Sequence, residues 1–365
     1  MNARVILEDG KSFEGIPFGK RGCAVGEVVA HNTMSGFQQL ITEPANAGLI
    51  LSLSFPLIGN VGTNREDVES SRSYSRGLIV REHCRAPSNF RCEKKFDTYL
   101  KEEGVVGISG IDTRALNRHI RRFGPLKGAI LTDDRPVESV VSQLKSKDSR
   151  EGYHSWAGDG AGGEYGFGVQ DDSGSADLVV IDLGIRLSLL RALGAEGFRP
   201  VVLPGETPPE KVIGLQPRTV IVAGGPGDPA DVAAPVVEGL SALVGAVPLL
   251  GISLGMQMLA LAMGARTIRL WPGHRGEGYP VREKATGWIS NTSQNRGYTI
   301  DGDSLPSVAT ITHYNLHDGA IEGIRHVSAP VWGFEFWPYY SYTERIFTPL
   351  FPGAFREALT AGGSL

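Results

Sequence analysis

The run Leu249-Leu250-Gly251-Ile252-Ser253-Leu254-Gly255-Met256-Gln257 has the Gly-x-Ser-x-Gly spacing of a nucleophile elbow. An apolar strand entering such a tight turn, followed by a helix from Gln257 to about Ala265, holds one side chain exposed at the carboxyl edge of a sheet. A serine there can attack a carbonyl carbon if a base takes its proton and N–H donors receive the developing oxyanion. The donors have a candidate in Ala223-Gly224-Gly225-Pro226-Gly227-Asp228-Pro229, a glycine loop that follows a predicted strand and can turn free backbone N–H groups toward the elbow. The base has no obvious candidate. His274, His313 and His317 are candidates, but each by itself reads more readily as a hydrogen-bonded structural histidine than as a base.

Elements that position these groups follow from periodicity. Residues 178–182, 200–203, 219–223 and 247–252 form apolar runs of strand length, alternating with helical patterns at 187–197 and 232–244. That β/α rhythm predicts a doubly wound parallel sheet. Beyond Gly276 the pattern turns antiparallel, with strands near 297–300, 307–312 and 331–336. The first 150 residues read as mixed β and α: strands at Val5 to Glu8, Leu49 to Phe55 and Val105 to Ile108, a helix between Phe96 and Glu103, and a basic helix to about Arg122 that Asp112 can cap. Residues 151–176 are rich in Gly, Asp and Ser and poor in aliphatics. They cannot bury a core, so they read as a linker between domains at 1–150 and 177–365.

Composition narrows the partners. With 36 basic and 40 acidic residues and a pI near 6.1, nothing favours nucleic acid or an anionic membrane surface. The three cysteines lack metal-ligand or CxxC spacing, so neither a metal nor a cofactor is expected, and their odd number argues against a disulfide framework. No signal sequence or membrane span is evident, which predicts a cytoplasmic protein.

Taken together, the motifs resemble one family. LEDGKSFEG, GEVVAHNTMSGFQQLITEP, FPLIGNVGTN, SNFR and GISGIDTRALNRHIR, followed in order by GGPGDP, LGISLGMQMLALAMGA, SQNRGY and THYNLHDGAIEGI, are similar to the small subunit of carbamoyl-phosphate synthetase, a class I glutamine amidotransferase. The resemblance implies an α/β fold, with an amidotransferase-like doubly wound sheet behind an N-terminal mixed α/β small-subunit domain. It also implies glutamine hydrolysis by a Cys-His-Glu triad that feeds ammonia to a large synthetase subunit.

Carried over residue by residue, the resemblance exposes departures. Ser253 stands where the family has the cysteine of GICLGHQ, and Met256 where it has the histidine of that motif. The family's HPE reads Trp337-Pro338-Tyr339, and its DPS reads Glu43-Pro44-Ala45, so Ala45 replaces a serine that helps hold glutamine. An indole donates only, and a neutral phenol is a poor proton acceptor. A remaining carboxylate, Glu335, shares a face with Trp337 by strand alternation and could approach Ser253 from the side of the missing base. Other features persist: Gly225 and Leu254 at the oxyanion-donor positions, Gly227 in the same loop, and Gln257, Asn295, Gly297 and Tyr298 at glutamine-binding positions. They imply either a surviving pocket for a small polar ligand or retention for packing alone.

Three functions are compatible with this pattern. The first is a non-hydrolysing small subunit, lacking glutaminase activity, that still docks on a large synthetase subunit. The second is a stand-alone enzyme or ligand-binding protein of a specialised biosynthetic pathway, using the remodelled Ser253 pocket. The third is a slow glutaminase acting through Ser253.

Overall fold

The computed structural model describes residues 3–145, 165–166, 176–232, 234–338 and 357. The chain forms two compact units, Met1–Tyr153 and His154–Leu365.

In the first unit the strands do not make an open sheet. Seven of them, Ala3–Leu7, Ser12–Gly19, Val106–Ser109, Gly77–Ile79, Leu49–Leu53, Cys23–His31 and Leu126–Leu131, follow one another around a closed barrel. Closure leaves no strand edge unpaired, and Val5, Val28, Ile50, Ile108 and Ile130 pack together as its core. The helix Thr113–Phe123 begins where the Asp112 carboxylate accepts from the Ala115 N–H at 2.9 Å. It buries Leu116 and Ile120 on the barrel cluster and leaves Arg121 and Arg122 exposed near its carboxyl end, the favourable end for positive charge. Asn117 on the same helix accepts from the Ser52 hydroxyl at 2.7 Å, which fixes the helix against the strand Leu49–Leu53.

The second unit carries a ten-stranded mixed sheet. Its middle is parallel: Pro200–Pro204, Leu178–Asp182, Thr219–Ala223, Leu249–Ile252 and Val331–Phe334 lie side by side in that order. Three of these strands, LVVID, TVIVA and LLGI, are apolar almost throughout because helices cover both faces, so no position alternates to solvent. The helix Leu187–Ala195 joins one buried cluster, and Ala234–Leu243 and Leu254–Ala262 join the other. From Val331–Phe334 the sheet continues antiparallel through Ile321–His326, Ala309–Asn315, Thr267–Glu283 and Ile289–Ile300.

Several expectations need correction. The elbow helix starts at Leu254, three residues before Gln257, because the turn passes directly into helical backbone. Extended alternation does not reach Trp337, since the strand ends at Phe334 and the chain bends at 335–336. Most of 151–176 lies outside the described residues, yet Tyr165–Gly166 pairs with the strand Pro200–Pro204 and so adds an edge strand where only a loop is predicted.

Candidate functional site

The elbow is built by close approach. Ser253 has φ 56° and ψ −123°, a conformation that non-glycine residues rarely adopt. Its N–H donates to the Phe334 carbonyl at 2.8 Å, and its own carbonyl accepts from the Met256 N–H at 2.9 Å. Backbone therefore pins the turn on both sides, and the surrounding structure bears the strain. Gly255 is obligatory there: a Cβ would stand 1.8 Å from the Val222 carbonyl oxygen. The glycine loop after Thr219–Ala223 closes on the same point. A Cβ on Gly225, whose φ is 111°, would meet the Leu254 side chain at 2.3 Å and the Leu183 carbonyl oxygen at 2.4 Å. Gly225 and Leu254, 29 residues apart in the chain, are thus brought into contact, and Gly227 (φ 89°) turns the same loop. Ser253 is buried, and its hydroxyl makes no capping bond to the helix that follows. Met256 points into a small apolar core with Ala260, Ile300, Ile321 and Ile324.

Behind the elbow lies a buried charged network that sequence reading missed. Arg296 places its guanidinium 2.8 Å from Glu322 and 3.0 Å from Glu335, and all three side chains are at most 3% exposed. Gln294 and Asn315 donate amide N–H groups to Glu322, at 3.0 and 2.7 Å. His274 links Gln294 at 2.8 Å to Asp318 at 2.8 Å. Burial raises the Glu335 pKa to about 7, with Arg296 opposing and the nearby Glu322 charge adding to the rise. Glu322 itself is held below the usual carboxylate range by Arg296 and its hydrogen bonds, against the desolvation that opposes them. A signal for the missed pair existed: Glu322 interrupts the apolar run AIEGI, and Arg296 falls in a strand whose other residues are mostly buried.

Gln257 belongs to this network. Its amide nitrogen donates to Glu335 at 2.9 Å and to the Tyr298 carbonyl at 3.1 Å, so it faces protein acceptors instead of standing free for a ligand. Asn295 accepts from Arg275 at 2.7 Å, Gly297 lies against the same arginine, and the Tyr298 ring carries the Arg269 guanidinium at 5.9 Å. The Glu335 carboxylate is therefore a partner of Arg296 and Gln257, and the shared face with Trp337 is not kept.

Trp337 goes elsewhere. It packs with Phe334, Phe336, Ile252 and Leu189, and the Arg186 guanidinium stacks on its ring at 4.1 Å. Arg186 enters the site with no sequence forewarning. His313 meets Phe334 and Phe336 edge-on, at 5.4 and 5.9 Å, and desolvation lowers its pKa to about 4, so the ring is neutral at physiological pH. His317 stands edge-on to Tyr279 at 6.2 Å. Tyr339 lies outside the described residues. Ala45 sits half-buried in the short turn Pro44–Asn46 of the first unit. Among the described residues no His, Cys, Asp and Glu cluster could hold a metal, and no helix is long and apolar enough to cross a membrane.

Comparison with known proteins decides the family. Residues 5–130 match the model of the carbamoyl-phosphate synthase small chain, CPSase domain, and residues 179–355 that of the class I glutamine amidotransferases. The carbamoyl phosphate synthase small chain of Syntrophotalea carbinolica is 41% identical over 350 residues, covering 93% of either chain. This chain belongs to the carbamoyl-phosphate synthase small-chain family. The Bacillus caldolyticus small chain is 40% identical over 353 residues, covering 96% of this chain and 95% of its own. The pyrimidine-specific small chain of Bacillus subtilis is 38% identical over 339 residues, covering 93% and 91%. Within this small-chain family member, the elbow turn at Ser253 has φ 56° and is followed by the helix Leu254–Ala262.

Proposed function

We propose that this small chain docks on a large synthetase subunit and does not itself hydrolyse glutamine. The observation that carries the reading is the fate of Trp337: its indole is packed into apolar core beneath Arg186, at the position that the resemblance assigns to the catalytic base. An indole N–H donates and cannot accept, so it cannot remove the Ser253 proton or return one to departing ammonia. Glu335, the nearest alternative in sequence, already accepts from Gln257 and pairs with Arg296. A serine hydroxyl with neither partner is a poor nucleophile. The intact first unit and the membership in a small-chain family support the docking half of the proposal.

The test is co-expression with the large subunit encoded by the same organism. Co-purification, carbamoyl phosphate formation from ammonium and no release of glutamate from glutamine are the expected results. Glutamate release at an ordinary amidotransferase rate, abolished by Ser253→Ala, overturns the catalytic half. A chain that never associates with the large subunit overturns the docking half and favours a stand-alone role.

A further inference from the structure

In the first unit, well separated in sequence from the elbow, a cleft of about 370 Å³ opens beside the strand Ser12–Gly19. Four cations line it: Arg21, Arg85, Lys95 and Lys101, all exposed. One carboxylate faces them, and it is already committed. Asp97 accepts from the Gly19 N–H at 2.7 Å and from the Lys101 ammonium at 2.6 Å, which holds its pKa low. Arg21 is tethered to the Thr132 carbonyl at 3.3 Å, while Arg85 and Lys95 have no carboxylate partner among the described residues. The chain as a whole carries a formal charge of −4, so this concentration of positive charge is local.

The remaining wall has a different chemistry. The His83 ring lies flat on Phe18, with centroids 4.5 Å apart and planes within 7°. Ile16 and Pro17 extend this apolar side, and Ile16 is 53% exposed. Burial lowers the His83 pKa, so the imidazole presents a neutral aromatic surface at pH 7. A flat, partly apolar wall facing a set of cations suits a ligand that joins a planar ring to a phosphate. The volume falls in the range of small-molecule sites.

We propose that this cleft binds a phosphate-bearing heterocyclic metabolite of about nucleoside-monophosphate size, with the phosphate on Arg85 and Lys95 and the ring against His83. The site is independent of the elbow and of whether the chain hydrolyses glutamine.

Calorimetric titration of the full chain with adenosine 5′-monophosphate, adenosine and ribose 5-phosphate tests it. The expected result is saturable binding of the monophosphate at one site per chain, weakened about tenfold or more by Arg85→Glu with Lys95→Glu and by raising salt from about 50 to about 500 mM. Both residues are exposed, and unchanged thermal melting of the double variant confirms that only the site is altered. Adenosine and ribose 5-phosphate should each bind at least about tenfold more weakly, since each lacks one half of the match. The proposal is overturned by failure of the monophosphate to saturate at about 10 mM, by equal affinity in the double variant, or by equal binding of adenosine. Ribose 5-phosphate binding as tightly as the monophosphate overturns the role given to His83. Displacement of the monophosphate by a hexaglutamate peptide at lower concentration overturns the assignment to a small metabolite.

Discussion

The Arg186 guanidinium stacks on the Trp337 ring at 4.1 Å, and each residue is 1% exposed. A cation buried against an aromatic face gains from the ring quadrupole more strongly than at a wet surface. Trp337 follows the strand Val331–Phe334 and Arg186 follows the strand Leu178–Asp182, and the indole belongs to the buried cluster that includes Ile252 and Leu189.

Trp337→Ala should therefore cost about 3–5 kcal/mol in urea unfolding, the usual range for emptying a buried aromatic site. Glutamine at millimolar concentration should leave the wild-type melting temperature unchanged, because a ligand stabilises only when its concentration approaches Kd. A glutamine-dependent rise in the wild type, or a neutral Trp337→Ala, contradicts the proposal that Trp337 is core packing in place of a glutamine site.

Ser253→Cys alone should not confer glutaminase activity. With no imidazole beside it the thiol stays near its ordinary pKa and is largely protonated at neutral pH, and ammonia has no proton donor to leave with. Restoration should require Ser253→Cys together with Trp337→His and Tyr339→Glu. Turnover by the single variant, read as glutamate release, points to another base already in place.

The two buried carboxylates predict asymmetric responses. Arg296→Met leaves Glu322 and Glu335 without their cation and should destabilise by about 3–5 kcal/mol. Glu335→Gln keeps the shape and removes the group that resists ionisation, so its effect should depend on pH. The folded pKa of Glu335 is raised, to about 7, so the folded state holds its proton longer than the unfolded chain. Its contribution to stability is full below about 4.5 and is lost as pH rises toward 7. His313, lowered to about 4, acts oppositely, its stability growing between about pH 4 and 6.5 and partly masking the slope. Measured as the difference between variant and wild type, Glu335→Gln should gain on the order of 1–3 kcal/mol between pH 4.5 and 7.5. A flat difference across that interval refutes the assignment.

Gly255→Ala should prevent folding of the second unit or cost at least about 3 kcal/mol, because backbone, not a movable side chain, occupies the Cβ position 1.8 Å from Val222. Gly214→Ala, with nothing within 4 Å of its Cβ, is the matched control and should be near neutral. Similar melting temperatures for the two variants would show that the elbow helix can shift.

Much of this molecule was legible from letters alone. Continuous apolar strands such as TVIVA, the capping Asp112 and the Gly-x-Ser-x-Gly spacing are local signals, written within a few residues and governed by backbone sterics and period. The family resemblance rests on similarly local motifs, and the expectation that Ser253 and Trp337 replace reactive residues comes with it. Tertiary structure decided what depends on distant segments meeting. Alternation predicted a common face for Glu335 and Trp337, but the strand ends at Phe334, and each side chain follows the partner that best offsets its burial: a carboxylate goes to Arg296 and Gln257, an indole to Arg186 and the apolar core. Closure of the first unit into a barrel likewise depends on Leu126–Leu131 returning to pair with both Ala3–Leu7 and Cys23–His31. Such pairings satisfy backbone groups across a hundred residues, and no local pattern of side chains encodes them.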